Sequence, residues 1–326
     1  MKTLTTPRDR NPRAAPPGPI AAIAVTLMLL GAVAFAPGAG AQSSAPGADA
    51  ATAPGVPSAD KQVVLITGST SGLGRELALR LAATGAHIIV HGRDRERGEE
   101  VVAEIEREGT GSARFYAADL ASHAEVRAFG EAVLRDYDRL DVLINNAGIG
   151  SRIPAERTLS QDGVELRFAV NYLSHFLLTR MLLPRVVESA PARIVNVSSG
   201  SQTPIDFDDV MLEQDYSGGR AYGQSKLAQI LFTFDLAEEL EGTGVVVSAL
   251  HPSTYMDTNM ILGAGLTPRS SVNDGADAVM RLITEPDLES GQYFSVQRPT
   301  RANQQAYDEE ARAMLRRLSM ELTGMR

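Results

Sequence analysis

The chain has 326 residues, a formal net charge of −9, 44% hydrophobic residues and no cysteine. Those figures exclude disulfides and thiolate-held metal and argue against a nucleic-acid groove, which needs a basic face. They allow one large or two ordinary globular domains. The five histidines, at 87, 91, 123, 175 and 251, show no metal-ligand spacing.

The first 60 residues are a different kind of sequence. Over residues 1–41, Lys2, Arg8, Arg10 and Arg13 against Asp9 make a net +3, which leaves −12 for residues 42–326 in a chain that carries −9. An apolar run, Ile20–Ala36, follows, and then Ala39-Gly40-Ala41, a small-x-small pattern ahead of Gln42. Residues 1–41 therefore read as a secretory signal peptide, which places the protein in the periplasm or outside the cell. An uncleaved membrane anchor is the other reading, since the run is about the minimum for a span. Residues 42–60 are rich in Pro, Gly, Ala and Ser, which predicts a disordered linker. The folded domain is expected over 61–326.

From Lys61 onward short apolar runs alternate with longer helical patterns. Strands are predicted at 62–67, 86–91, 113–119, 141–146, 192–199, 244–250 and 291–297. Helices are predicted at 72–84, 95–108, 122–137, 163–187 with an interruption at Pro184, and 221–241. Strict alternation of strand and helix implies right-handed crossovers. The fold class is α/β: a single doubly wound parallel sheet of about seven strands with helices on both faces. The strands lack two-residue alternation, as expected where both faces are buried. Ligands in such sheets bind at the carboxyl ends of the strands, where the winding reverses.

The first strand runs into TGSTSGLG (Thr67–Gly74), which opens a helix. Gly68, Gly72 and Gly74 permit a tight turn and close backbone approach, and the helix N-terminus offers free N–H groups to a pyrophosphate. Strand, turn and helix in this order predict a dinucleotide site. No Gly-Lys-Ser or Gly-Lys-Thr occurs, so it is not a P-loop. Gly92 stands at the tip of the second strand and Arg93 follows. A cofactor with free ribose hydroxyls wants a carboxylate there and one with a 2′-phosphate wants arginine, so NADP is favoured and NAD is the other candidate. Asp94 and Arg95 blur that choice.

The chain carries 28 arginines and only three lysines: Lys2, Lys61 and Lys226. Lys226 follows Tyr222 by four residues, so the two share a helix face. An unperturbed phenol, with a pKa near 10, is a poor proton carrier at neutral pH, and a neighbouring ammonium is expected to lower it. Lysine suits that place as a compact charge with three rotatable donors. The fifth strand brings Ser198, Ser199 and Ser201 to the same edge, where a hydroxyl can donate to a developing oxyanion. No Gly-x-Ser-x-Gly elbow is present, which argues against a serine nucleophile.

At these residues the sequence resembles the short-chain dehydrogenase/reductase family, with a Rossmann domain, and in detail its retinol-dehydrogenase-like branch. The resemblance runs from about Gln62 to the C-terminus. It rests on TGSTSGLG (67–74), HGRD (91–94), ADL (118–120), NNAG (145–148), NYLSHFLLT (171–179), RIVNVSS (193–199), AYGQSKLAQILFT (221–233), LHPSTYMDT (250–258) and LSMELTG (318–324). It implies a catalytic set of Asn171, Ser199, Tyr222 and Lys226. Tyr222 would be the general acid in reduction and the base in oxidation, and Ser199 would hydrogen-bond the substrate oxygen. Lys226 would hold the nicotinamide ribose and tune Tyr222, while Asn171 would support a water relay to Lys226. Cofactor contacts would come from Gly68, Ser71, Gly72, Leu73, Gly74, Arg93, Asp119 and Leu120, and from Asn146, Ala147, Gly148, Tyr222, Lys226 and Pro252. No metal is expected.

The sequence departs from the family pattern at Pro252-Ser253, where Pro-Gly is usual, and in a threonine displaced to Thr258. The 23 positions from Ser199 to Tyr222 are a long spacing. The intervening loop 202–219 is expected to wall the pocket together with Tyr255, Met256, Met260, Ile261 and Leu262, which could equally be core. Family resemblance also implies pairing with a second copy through helices 163–187 and 221–241. The expected function is hydride transfer between nicotinamide and a small apolar carbonyl or alcohol. A non-catalytic NADP-binding sensor on the same fold is the alternative, and an epimerase or dehydratase is a third reading.

Overall fold

Val63 and Leu65 belong to one hydrophobic core and Val64 and Ile66 to another, and all four are fully buried. A strand with two buried faces loses polar alternation, which is why these strands read as continuous apolar runs. The computed structural model describes residues 61–325. The leader and linker expected at 1–41 and 42–60 lie outside them.

The strands are β1 (Val63–Ile66), β2 (His87–Gly92), β3 (Ser112–Ala117), β4 (Val142–Asn145), β5 (Ala192–Val197), β6 (Val245–His251), β7 (Gln292–Ser295) and β8 (Arg298–Pro299). They form one sheet in the order β3-β2-β1-β4-β5-β6-β7-β8, parallel except for the antiparallel β7–β8 pair. All seven expected strands are present. The two-residue β8 is too short to carry a periodicity. The winding reverses between β1 and β4, which opens a crevice at their carboxyl ends.

The helices are α1 (Gly72–Ala83), α2 (Arg95–Glu108), α3 (His123–Asp136), α4 (Ser174–Glu188), α5 (Gly218–Glu239), α6 (Asn259–Gly263), α7 (Val272–Thr284) and α8 (Glu309–Thr323). One core packs α1, α2 and α7 against the sheet, and the other packs α3, α4, α5 and α8. The last three helices were not anticipated, although α7 starts on a Ser271/Asp274 capping box and α8 on an Asp308 cap.

One expectation needs correction. Pro184 does not interrupt α4, which runs through it; Pro184 is exposed, and its missing N–H forfeits one bond to the preceding turn. The irregularity lies upstream, in a π-helical turn over Phe168–Leu173 that carries Asn171. Helix α5 is buried almost all round, in part by α8 of the same chain: Tyr172 and Ser319 share a hydroxyl hydrogen bond of 2.6 Å, Arg316 pairs with Asp235 and Arg312 with Glu238.

Candidate active site

The turn after β1 is shaped by what it leaves out. Gly68 has φ +65°, and a Cβ there would lie 3.0 Å from Ala147. A Cβ on Gly74 would overlap the Gly68 carbonyl oxygen and come within 2.6 Å of Asn146 Nδ2. The turn is therefore a backbone-lined concavity that admits no side chain at these points. Helix α1 opens on it with no side-chain cap from Ser71 and no acidic residue in its first turn, whereas α2, α3, α5, α7 and α8 are all capped by a side chain. Its first N–H groups are left for an anion. The cradle fits a dinucleotide pyrophosphate. Leu73 and Leu120 are 6% and 4% exposed and belong to the cores, so only their backbone can face such a ligand.

At the tip of β2, Asp94 is spent as the cap of α2, accepting the Arg97 N–H at 3.2 Å. Arg95 lies over the Phe115 ring and reaches Glu99. Arg93 projects into solvent, 72% exposed, with its nearest carboxylate, Asp119, 4.0 Å away. Asp119 accepts the Ala121 N–H on one oxygen at 3.0 Å.

Helix α5 places Tyr222 and Lys226 on one face, with Lys226 Nζ 5.9 Å from the centroid of the tyrosine ring. The amine points inward: it donates to the Val197 carbonyl at 2.8 Å and to Gln229 Oε1 at 2.9 Å. Among the three candidate serines, Ser198 is committed to the Lys226 carbonyl at 2.7 Å, and Ser201 is exposed. Ser199 is 8% exposed and held from two sides, since Tyr293 Oη donates to its carbonyl at 2.9 Å and Gln202 Nε2 at 3.2 Å. Asn171 accepts the Ile149 N–H at 2.8 Å and donates to the Ile149 carbonyl and to Ser225 Oγ. A Cβ on Gly148 would stand 3.2 Å from Asn171 Oδ1 and 3.6 Å from Lys226 Nζ, so the NNAG turn and the Tyr-Lys helix meet here. Pro252 is buried at the end of β6.

The electrostatics run against one expectation. Burial pushes the Tyr222 phenol above its ordinary value, and the Ser199 hydroxyl draws it back only in part. Burial pushes Lys226 down to about 7. The ammonium does not decide the direction, because both groups have lost water and the oxygens around Nζ are neutral.

Loop 202–219 is pinned to the C-terminal region: Gln305 bonds the Ile205 backbone in both directions, and Asn303 N–H donates to Gln202. Ile205, Val210 and Leu212 are buried, so part of the loop is core. Tyr255, Met260 and Leu262 are exposed, Met256 packs beneath α7, and Ile261 is half-buried. Thr258 does reach the site, with its methyl 3.2 Å from where a Cβ of Gly72 would be. Sequence reasoning missed Tyr293, Gln229 and Gln202. Only Gln229 had a local signal, three residues past Lys226 on the same helix. A groove of about 640 Å³ opens elsewhere, at the start of β6 between Phe234, Leu240, Val245 and Tyr307; none of the candidate residues line it.

The sequence model described as short chain dehydrogenase matches residues 62–264. The chain is similar to human retinol dehydrogenase 14, 39% identical over 294 residues that cover 81% of this chain and 87% of the relative. It is also similar to the crystal structure of a metagenomic short-chain oxidoreductase in complex with NADP, at 30% identity and TM-score 0.58, covering 74% of this chain and 98% of that one. A short-chain dehydrogenase from Sphingobium yanoikuyae in complex with NADPH matches at 26% identity and TM-score 0.58, covering 70% and 86%. With this fold and this arrangement of side chains, the chain belongs to the short-chain dehydrogenase family.

Proposed function

We propose that this protein transfers a hydride between NADP(H) and an apolar alcohol or its carbonyl counterpart, of the kind retinol exemplifies. The observation that carries the reading is the convergence of Ser199, the Tyr222–Lys226 pair and Gly148 beside the glycine-cleared turn. NADP binding is supported by Arg93 at the strand tip and by the nucleotide in the two similar crystal structures.

When bound, NADPH supplies the hydride, and the protein supplies orientation and proton traffic. The phosphates would lie on the turn from Gly68 to Gly74 with Ser71 at its edge, Arg93 would meet the 2′-phosphate, and Asp119 would lie beside the adenosine. Asn146, Ala147, Gly148 and Pro252 would line the nicotinamide end. In reduction the Tyr222 hydroxyl gives its proton to the substrate oxygen, and in oxidation the phenolate takes it back. Ser199 donates a hydrogen bond to the same oxygen as negative charge develops. Lys226 acts as a buried donor beside the phenol, and Asn171 holds the Ile149 backbone and feeds the lysine side of the relay.

The experiment is a panel of apolar carbonyls and alcohols assayed with NADP(H) and NAD(H). Turnover of at least one pair with the 2′-phosphorylated cofactor supports the reading; cofactor binding without turnover of any pair favours the sensor alternative. Residues 1–41 remain our candidate for an export or anchoring segment, on the +3 charge followed by the apolar run. Among the described residues no helix is long and apolar enough to cross a membrane. Fractionation of native cells tests this, and recovery in the cytosol with Met1 retained overturns it.

A further inference from the structure

His175, the second residue of α4, is 1% exposed and plays no part in the proton path just described. Its Nε2 lies 3.0 Å from Thr67 Oγ1 and its Nδ1 3.0 Å from the Asn171 carbonyl oxygen. A carbonyl only accepts, so Nδ1 carries the hydrogen toward its nearer neighbour, the Asn171 carbonyl, while the Gln229 amide nitrogen stands off at 3.4 Å. Nε2 is then an acceptor, and Thr67 must donate to it. Thr67 Oγ1 donates there at 3.0 Å in preference to the Ile144 carbonyl at 3.4 Å, and its lone pairs already accept the N–H groups of Asn146 at 2.9 Å and Ala147 at 3.0 Å. The opposite tautomer would turn a lone pair on the Asn171 carbonyl and force a third donor on Thr67. One continuous chain follows: the backbone of the NNAG turn donates to Thr67, Thr67 to His175, and His175 to Asn171 in the π-turn.

We infer that His175 is a positioning residue that ties the cofactor turn at Asn146 and Ala147, through Thr67, to the π-turn bearing Asn171. This inference rests on the proposed cofactor site. The titratable groups that face the imidazole are Lys226 and His91; burial first, then Lys226, pushes it down to about 3, so it stays neutral and moves no proton. Two halves of the site from distant parts of the chain are thereby held in one register.

The test is NADPH binding, read by cofactor fluorescence in a Tyr222→Phe background so that turnover plays no part. Thr67→Val and His175→Leu should each weaken NADPH about tenfold, the loss expected for one buried hydrogen bond. Their combination should be no worse than Thr67→Val alone, because that variant already breaks the link to His175 along with the two N–H contacts Thr67 accepts. Thr67→Ser, which keeps the hydroxyl, should restore affinity. The loss in His175→Leu should be the same at pH 6 and pH 8. Wild-type affinity in Thr67→Val, additive losses, or a loss that appears only at one pH would overturn the inference. If His175→Leu does not fold, His175→Asn, which keeps a donor near the Nδ1 position and loses the Nε2 contact to Thr67, decides it by the same weakening, and wild-type affinity in that variant overturns the inference. Failure of every substrate in the panel would sink the proposed reaction and leave this result standing.

Discussion

Lys226 lies one helical turn from Tyr222, with its nitrogen 5.9 Å from the phenol ring centroid and turned into the protein. The pair shares a face, but burial governs both groups in the cofactor-free site. The phenol we propose as the proton donor is therefore pushed up by burial beside an amine pushed down to about 7.

Tyr222→Phe removes only the hydroxyl. Turnover should fall about 10²–10⁴-fold, the usual worth of a positioned general acid, while NADPH affinity and the thermal midpoint stay near wild type. Steady-state kinetics beside a fluorescence titration checks this, and full activity in the variant would remove Tyr222 from the mechanism.

The lowered pKa of Lys226 makes a stability statement. Between about 7 and the ordinary 10.5 the folded protein has shed a proton that the unfolded chain keeps, so stability rises with pH across that window. Below about 7 both states are charged and the cost of the buried ammonium is full. Lys226→Met lacks this slope. The stability of the variant relative to wild type should therefore fall from pH 7 to pH 10, by up to about 1.4 kcal/mol per pH unit. Urea titrations of the cofactor-free proteins measure it; a pH-independent difference would show that folding leaves this amine unshifted.

Arg93 is exposed and its ion pair with Asp119 is long, so it adds little to stability. Arg93→Ala should weaken NADPH about 10–100-fold through the lost phosphate contact and leave NADH nearly unchanged. Equal losses for both cofactors would place the 2′-phosphate elsewhere.

A methyl at Gly74 meets backbone, which cannot give way. Gly74→Ala should lose NADPH binding and about 1–3 kcal/mol of stability. Gly85, with φ +94° and open space around it, is the control. Gly85→Ala should cost about 1 kcal/mol with cofactor affinity intact.

Arg167 is fully buried and donates to the carbonyls of Gly150 and Pro154 and to the Tyr216 hydroxyl, with Glu165 3.7 Å away and 1% exposed. It clamps the loop after β4 to the start of α5. Arg167→Met leaves Glu165 buried without its counter-charge and should cost about 3–5 kcal/mol. Adding Glu165→Gln should recover part of that loss; a Glu165→Gln addition that costs still more would refute the pairing.

The seven long strands, α1 to α5, the glycine turn and the Tyr222–Lys226 pair were legible in the chain because each rests on local physics: periodicity, caps, φ > 0 and helical spacing within a few residues. Asp94 as a cap and Arg93 as an exposed cation at the strand tip are likewise neighbours in sequence, though only the structure separated their roles. Contacts between distant parts of the chain were not legible. Thr67 and His175 meet across 108 positions, and Tyr293 reaches Ser199 across 94. The cover of α5 by α8 and the burial of Arg167 belong to the same class. So does the direction in which Tyr222 and Lys226 shift, because removal from water is a property of packing and not of residue type. Local pattern determined the elements and the chemistry they carry; only tertiary packing decided which groups face one another and how far each is withdrawn from solvent.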